Sequence, residues 1–291
     1  MRNGMLIIAA ILFITTSAAQ AQMEASQPEL HGSFSVTYLS KYIWRGFDIY
    51  DDKSGVDACL DLDLYGTGFG FSVTARRANS SEFENVERWD YNLYYYNRMF
   101  AGESYAMNYR LGWVLYDYPD QPTKGSALPP FQRPANNASL QELHAIMSFP
   151  EICPAGIVPT YILVKMWPHR SGSYSGSRSS LALPPAMVGT ASGFAHIFML
   201  DYSFTVADLI PNNPEQKINL HSEFVFNDGV SPVGTNVDHD WTNMVFGIST
   251  DIDLANNLVL TPAVYHQRTF DDSVNEDEDE TWFTLGATCK F

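Results

Sequence analysis

The residues able to do chemistry are few and scattered. Of seven histidines, five that matter here, His144, His196, His221, His239 and His266, fall in five different segments. Hydrolysis needs a nucleophile, a histidine base and an orienting group within hydrogen-bond reach. The one adjacent pair, His221-Ser222, lies in an alternating segment, where neighbours face opposite sides. The hydroxyls of SGSYSGSRSS read as a flexible loop, and no His-x-Ser-Asn-Gly stretch is present. No enzyme activity is expected, and a hydrolase is the least favoured of the alternatives. The acidic run DDSVNEDEDE offers Asp277 and Asp279 as oxygen ligands for a divalent cation such as Ca²⁺. It lacks the spacing and glycine of an EF-hand, so a solvated acidic loop is the expectation and no metal is assigned.

Three cysteines, Cys59, Cys153 and Cys289, are an odd number, which leaves at least one unpaired, and their segments are not neighbours. No cofactor is implied, because no glycine-rich phosphate loop follows a strand and opens a helix. The chain carries 17 Lys and Arg against 33 Asp and Glu, net −16. That excess of negative charge argues against nucleic acid as a partner.

The elements that must position these residues are strands. The opening MRNGMLIIAAILFITTSAAQAQ has a basic n-region at Arg2, a short apolar core and the small-x-small site Ala19-Gln20-Ala21. It reads as a cleaved secretory signal at 1–21, leaving 22–291 as one domain. Thereafter no apolar run is long enough for a transmembrane helix, although 45% of the residues are hydrophobic and 14% aromatic. Alternating segments recur instead near 32–44, 55–65, 68–77, 87–97, 104–116, 139–149, 156–167, 194–207, 217–227, 241–253, 257–267 and 281–291. In 104–116, Tyr105, Met107, Tyr109, Leu111, Trp113 and Leu115 oppose Asn108, Arg110 and Gly112. The segment 156–167 is less regular, with apolar residues on both parities. Connections alternate between short, as at 66–67, and long, as at 117–138 and 168–193, where prolines gather. That pattern predicts an all-β fold: an antiparallel up-and-down transmembrane barrel of about twelve strands, both termini periplasmic, in the outer membrane of a Gram-negative-type bacterium. Either proline-rich loop could fold into the mouth.

Parity then assigns faces. The lumen inherits Asp57, Asp61, Asp63, Arg76, Asp90, Arg110, Glu142, Asp201, Glu223, Asp251 and Asp253. In SFSVTYLSKYIWRGFDIY, Phe34, Val36, Tyr38, Tyr42 and Trp44 share one parity. Tyr42, Trp44 and Trp113 are therefore expected at the lipid interface as girdle residues, Arg45 at the lumen or mouth, and Gly46 as the bend into an outer loop. The terminal strand ends in Phe291, which resembles the signal read by the outer-membrane barrel assembly machinery.

The stretch SKYIWRGFDIYDDKSGVDACLDLDL resembles the first strand, loop and second strand of the TorF family of outer-membrane porins. The matching residues are Tyr42, Trp44, Arg45 and Gly46, and the likeness runs over about 33–77. It implies a porin barrel. The function expected is passive diffusion of small hydrophilic solutes, with carboxylates favouring cations or neutral molecules. Outer-membrane lipid is the other expected partner. A closed structural or ligand-binding barrel using its long loops is the alternative.

Overall fold

In the computed structural model, residues 29–120, 139–154, 156–169, 192–210, 213–229, 239–255 and 257–291 are described. The expected signal at 1–21 and most of the long connections at 117–138, 168–193 and 228–240 lie outside them. The strands in chain order are β1 (His31–Leu39), β2 (Ile43–Trp44), β3 (Phe47–Asp48), β4 (Gly55–Asp63), β5 (Phe69–Ala78), β6 (Arg88–Met99), β7 (Met107–Asp117) and β8 (Leu140–Ser148). They continue as β9 (Ile157–Pro168), β10 (Gly193–Ile210), β11 (Asn213–Asp228), β12 (Asp240–Thr250), β13 (Ile252–Ala255), β14 (Leu258–Thr269) and β15 (Glu280–Lys290).

Every wall strand pairs antiparallel with its neighbours in sequence, and β1 closes the ring against β15. Because β12 and β13 both pair with β14 on either side of Asp251, they are one interrupted strand, and the wall has twelve strands. Both ends of the wall, His31 and Lys290, lie at the short-turn end. β10 and β11 run further than the 194–207 and 217–227 of their alternation, to Ile210 and from Asn213, which stand opposite each other.

The register separates the two faces. Phe34, Val36 and Tyr38 of β1 stand opposite Leu60, Ala58 and Val56, and Phe34, Val36, Tyr38 and Leu60 are exposed. The same outward face carries Leu93, Leu111, Leu143, Phe198, Phe204, Phe246, Phe283 and Leu285, all exposed. Such a continuous apolar exterior on a closed sheet is what a bilayer solvates, and closure leaves no unpaired edge in lipid. A one-residue slip between β1 and β4 would move Asp57 and Asp61 into that exterior, so burial in lipid pins the register.

The inner face is not uniformly polar. On β7 to β11 the inward residues Val114, Leu140, Val164, Met166, Ala195, Ile197 and Val225 form a buried apolar cluster. This explains why β9 is apolar on both parities: one face meets lipid and the other packs inside the barrel.

Candidate functional site: a hairpin across the barrel mouth

The first strand ends at Leu39, not at residue 44. Beyond it, Tyr42 to Tyr50 turn into the barrel as the small hairpin β2–β3, with Ile43 opposite Asp48 and Trp44 opposite Phe47. Its two-residue turn is Arg45-Gly46, at φ 55° and 90°. Two positive φ values are what a tight hairpin with strand-like twist requires. Gly46 is obligatory for a second reason: a Cβ there would lie 2.8 Å from Val274 Cγ1 and 2.9 Å from Asn243 Oδ1. Arg45 has no such freedom, and the left-handed conformation costs it about 1–2 kcal/mol.

What offsets that strain is an ion pair across the mouth. Arg45 Nη2 donates to Glu142 Oε2 on β8 at 2.8 Å, with the two side chains 17% and 4% exposed. The Tyr116 hydroxyl donates to the same oxygen at 2.9 Å, and His144 Nδ1 lies 3.3 Å from Oε1. Burial pushes the Arg45 guanidinium down, but Glu142, Tyr116 and Glu223 together more than restore it, so Arg45 stays charged. On the other side of the barrel, Gln267 Nε2 on β14 donates to the Gly46 carbonyl at 2.8 Å. The hairpin tip is thus tied to opposite walls.

The expectation for Tyr42 and Trp44 as lipid-girdle residues is corrected here. Tyr42 is buried, with the Arg76 guanidinium 5.2 Å from its ring centre. Trp44 holds the Arg88 guanidinium at 3.9 Å from its ring centre and meets Tyr116 edge-on at 5.1 Å. Arg76, Arg88 and Tyr116 all face inward. Parity misplaced the two aromatics because the chain leaves the strand at Ser40-Lys41, and alternation has no meaning past a strand end. Trp113 does lie on the outward face, between Leu93 and Leu143 in register, its indole N–H donating to Gln141 Oε1 at 3.1 Å.

Beside the hairpin, cations and carboxylates neutralise one another. Arg76 pairs with Asp57 and, at 2.8 Å, with Asp90; Arg88 reaches Asp90 at 2.6 Å. Lys41 Nζ sits between Asp52 and Glu280, at 2.6 Å from the latter. Burial acts against its charge, but hydrogen bonds to these two carboxylates prevail and raise its pKa. Among the described residues, the one acidic trio with metal-ligand spacing is Asp48, Asp52 and Glu280, and the Lys41 ammonium already serves two of its members. Asp279 is engaged differently, accepting from the Thr269 N–H at 3.0 Å and from Arg268 at 2.5 Å, which holds its carboxyl below the usual range; Asp277 lies in the short 3-10 turn Asn275–Asp277.

Below the hairpin the inward face is polar and mostly acidic. Asp61 accepts from the Tyr94 hydroxyl at 2.6 Å, and Arg110 stacks over the Tyr94 ring at 3.5 Å, with no carboxylate partner among the described residues. Asp63 accepts from Tyr96, Asp201 pairs with His221 at 2.7 Å, and Asp251 accepts from Thr261 at 2.6 Å. Asp253 stands opposite Val259, and Glu223 opposite Met199 and Val245. Cys59 faces inward opposite Ser35, Cys289 outward opposite Phe34 and Leu258, and Cys153 sits in the β8–β9 turn. Phe291 exchanges backbone hydrogen bonds with Gly32 at 2.9 Å. The histidines diverge: His144 and His221 face inward, His196 and His266 outward.

Sequence reasoning missed Arg88, Tyr116 and the hairpin itself. Arg88 had a readable signal, since it shares parity with Asp90. The hairpin had only the Arg-Gly pair.

Fold and site together define a transmembrane β-barrel with a hairpin folded into its long-loop mouth. No protein-family model matches the chain, and no curated protein matches it. Among solved structures, the KdgM porin is similar at 10% identity over 89% of this chain and 99% of its own, with a TM-score of 0.48. The NanC porin is similar at 9% identity, over 89% and 100%, with a TM-score of 0.47. The COG4313 outer membrane channel from Pseudomonas putida F1 is similar at 10% identity, over 93% and 100%, with a TM-score of 0.48. The barrel rests on its own strand register rather than on these distant likenesses.

Proposed function

We propose that this chain is a porin-like channel of the outer membrane, passing small hydrophilic solutes and preferring cations and neutral molecules over anions. The observation that carries this reading is the charge pattern of the inner face. Arg45, Arg76 and Arg88 are each tied to a carboxylate, whereas below them the inward carboxylates Asp61, Asp63, Asp201, Glu223, Asp251 and Asp253 outnumber the inward cations Arg98, Arg110, Lys217 and Lys290, of which Arg98 is paired with Glu151. Carboxylates lining a narrow, low-dielectric passage raise the local concentration of cations. In this reading the signal at 1–21 delivers the chain for export, the assembly machinery reads the strand ending in Phe291, and both termini are periplasmic. The hairpin then narrows the outer mouth. The TorF-like run Tyr42-x-Trp44-Arg45-Gly46 belongs to the same proposal, as the hairpin's first strand and tip.

Liposome swelling tests it: vesicles holding the folded protein should admit small neutral sugars, with uptake falling steeply as solute size grows. Uptake no faster than in protein-free vesicles would reject the channel. A second reading, a closed barrel that presents its long loops to a ligand or surface partner, draws on the apolar cluster around Val164 and Ile197 that packs against Trp44. It predicts that null result.

A further inference from the structure

One inward-facing row crosses five strands just below the hairpin. In register it reads Asp201 on β10, His221 on β11, Gly247 on β12, Tyr265 on β14 and Trp282 on β15. Gly247 is the key to its shape. A Cβ there would lie 2.6 Å from two atoms of the Tyr265 ring and 3.4 Å from the Cβ of His221. The ring therefore occupies the space over Gly247, the residue that stands between Tyr265 and His221 in register. Trp282 stacks on it from the other side, with centroids 5.3 Å apart and planes at 19°. Both aromatics are only partly buried, so the pair forms a shelf in the lumen.

Carboxylates stand further along the same inward wall, on β10 and β11. Asp201 holds His221 at 2.7 Å and remains 44% exposed at its side chain. Glu223 is one row above, between Met199 and Val245. It makes no hydrogen bond or ion pair among the described residues; the Arg45 guanidinium, bonded to Glu142 at 2.8 Å, and His221 act on its charge from a distance. An inward carboxylate with no hydrogen-bonded partner among the described residues, on the same wall as an aromatic stack, has one natural complement. Aromatic faces attract cations through the ring quadrupole, and a carboxylate adds a formal charge to the same pole.

We propose that Tyr265, Trp282, Glu223 and Asp201 form a binding subsite in the lumen for small organic cations of the ammonium class. The apolar groups of an alkylammonium rest on the Trp282–Tyr265 shelf while its charge faces Glu223 and Asp201. The aromatic faces give such a cation an advantage over K⁺, whose tightly held water keeps it off a π-face. They give it an advantage over a neutral sugar through charge. The proposal deepens the channel reading by naming a preferred solute class, but the subsite does not require conduction.

Choline, with glucose as the neutral control, tests it in two arms. In the first, isothermal titration of the detergent-folded barrel with choline should give saturable binding that glucose does not. The dissociation constant should rise about 3- to 30-fold in Trp282→Leu and in Glu223→Gln, the range expected for losing one cation–π or charge contact. Trp282→Phe keeps an aromatic face and should stay within about threefold of the natural chain. In the second arm, choline should reduce the single-channel K⁺ current in bilayers, with the same order among variants. Saturable choline binding that is sensitive to Trp282→Leu, without any current, would support the subsite and reject the channel. Current without saturable choline binding, or binding unchanged in both Trp282→Leu and Glu223→Gln, would overturn the subsite. Equal affinity for glucose would overturn it too.

Discussion

Removing Arg45 should unseat the hairpin, and the size of the effect follows from its surroundings. Breaking a buried ion pair by deleting one partner typically costs about 3–5 kcal/mol, because the other charge is left uncompensated. Glu142 is only 4% exposed. It would keep the Tyr116 hydroxyl and His144 as partners, which points to the low end, about 3 kcal/mol. Replacing Arg45 also changes the backbone term. Alanine keeps the cost of a φ near 55°, whereas glycine relieves about 1 kcal/mol of it. Arg45→Ala should therefore shift the seated–unseated equilibrium by about 3 kcal/mol, roughly 150-fold, and Arg45→Gly by about 2 kcal/mol. A thiol placed at Ile49, which is 5% exposed in the hairpin core, reports the equilibrium in a background with Cys59, Cys153 and Cys289 replaced. When closing is fast, labelling by a membrane-impermeant maleimide tracks the open population. The rate should rise about 100-fold in Arg45→Ala and less in Arg45→Gly. Glu142→Gln combined with Arg45→Ala should add much less than the sum of the two single effects. Labelling of Arg45→Ala within threefold of the natural chain, or strict additivity, would refute the tether.

Three further outcomes follow from the same geometry. Cys59 faces inward and Cys289 outward near the short-turn end, so a small charged thiol reagent should modify Cys59 in the folded barrel faster than Cys289, read by mass spectrometry. Gly70→Ala would put a Cβ 2.1 Å from the Tyr94 ring, displacing the tyrosine that holds Asp61 and carries Arg110; overpacking of this kind costs about 1–3 kcal/mol, read by urea unfolding in detergent. Asp279 is held below its ordinary carboxyl pKa of 3.8, chiefly by the Thr269 N–H and then by Arg268, so its contribution is present above that value and lost as pH falls through the depressed one. The β14–β15 loop should loosen to proteolysis below about pH 4, and Asp279→Asn should remove that part of the pH dependence.

Much of the wall was readable in the alternation. Period-two patterning in β7, β10 and β11 placed Arg110, Asp201 and Glu223 on one face and Leu111, Phe198 and Phe224 on the other. A slip would expose charge to lipid, so the pattern and the register constrain each other. The mouth was not readable in the same way. Tyr42 and Trp44 continue the parity of Phe34, Val36 and Tyr38, yet they belong to a hairpin whose direction is set by contacts with Arg76, Arg88, Glu142 and Gln267, far away in sequence. Propensity cannot see such contacts. The one local sign was Arg45-Gly46, a pair suited to a turn with positive φ at both positions. β9 offered the opposite lesson. Its apolar residues on both parities looked like a weak strand, but they record a barrel wall whose inside is packed rather than wet. The aromatic shelf was hidden for a further reason: only the register brings Gly247 beside Tyr265.

The central claim is that a conducting barrel is narrowed by its own first hairpin. Single-channel recording in planar bilayers tests it most directly, comparing the natural chain with one in which residues 41–53 are replaced by a short Gly-Ser linker. The account predicts a small, cation-selective conductance for the natural chain and a clearly larger one after replacement. No current from either folded protein would contradict the channel, and equal conductance from both would contradict the role of the hairpin.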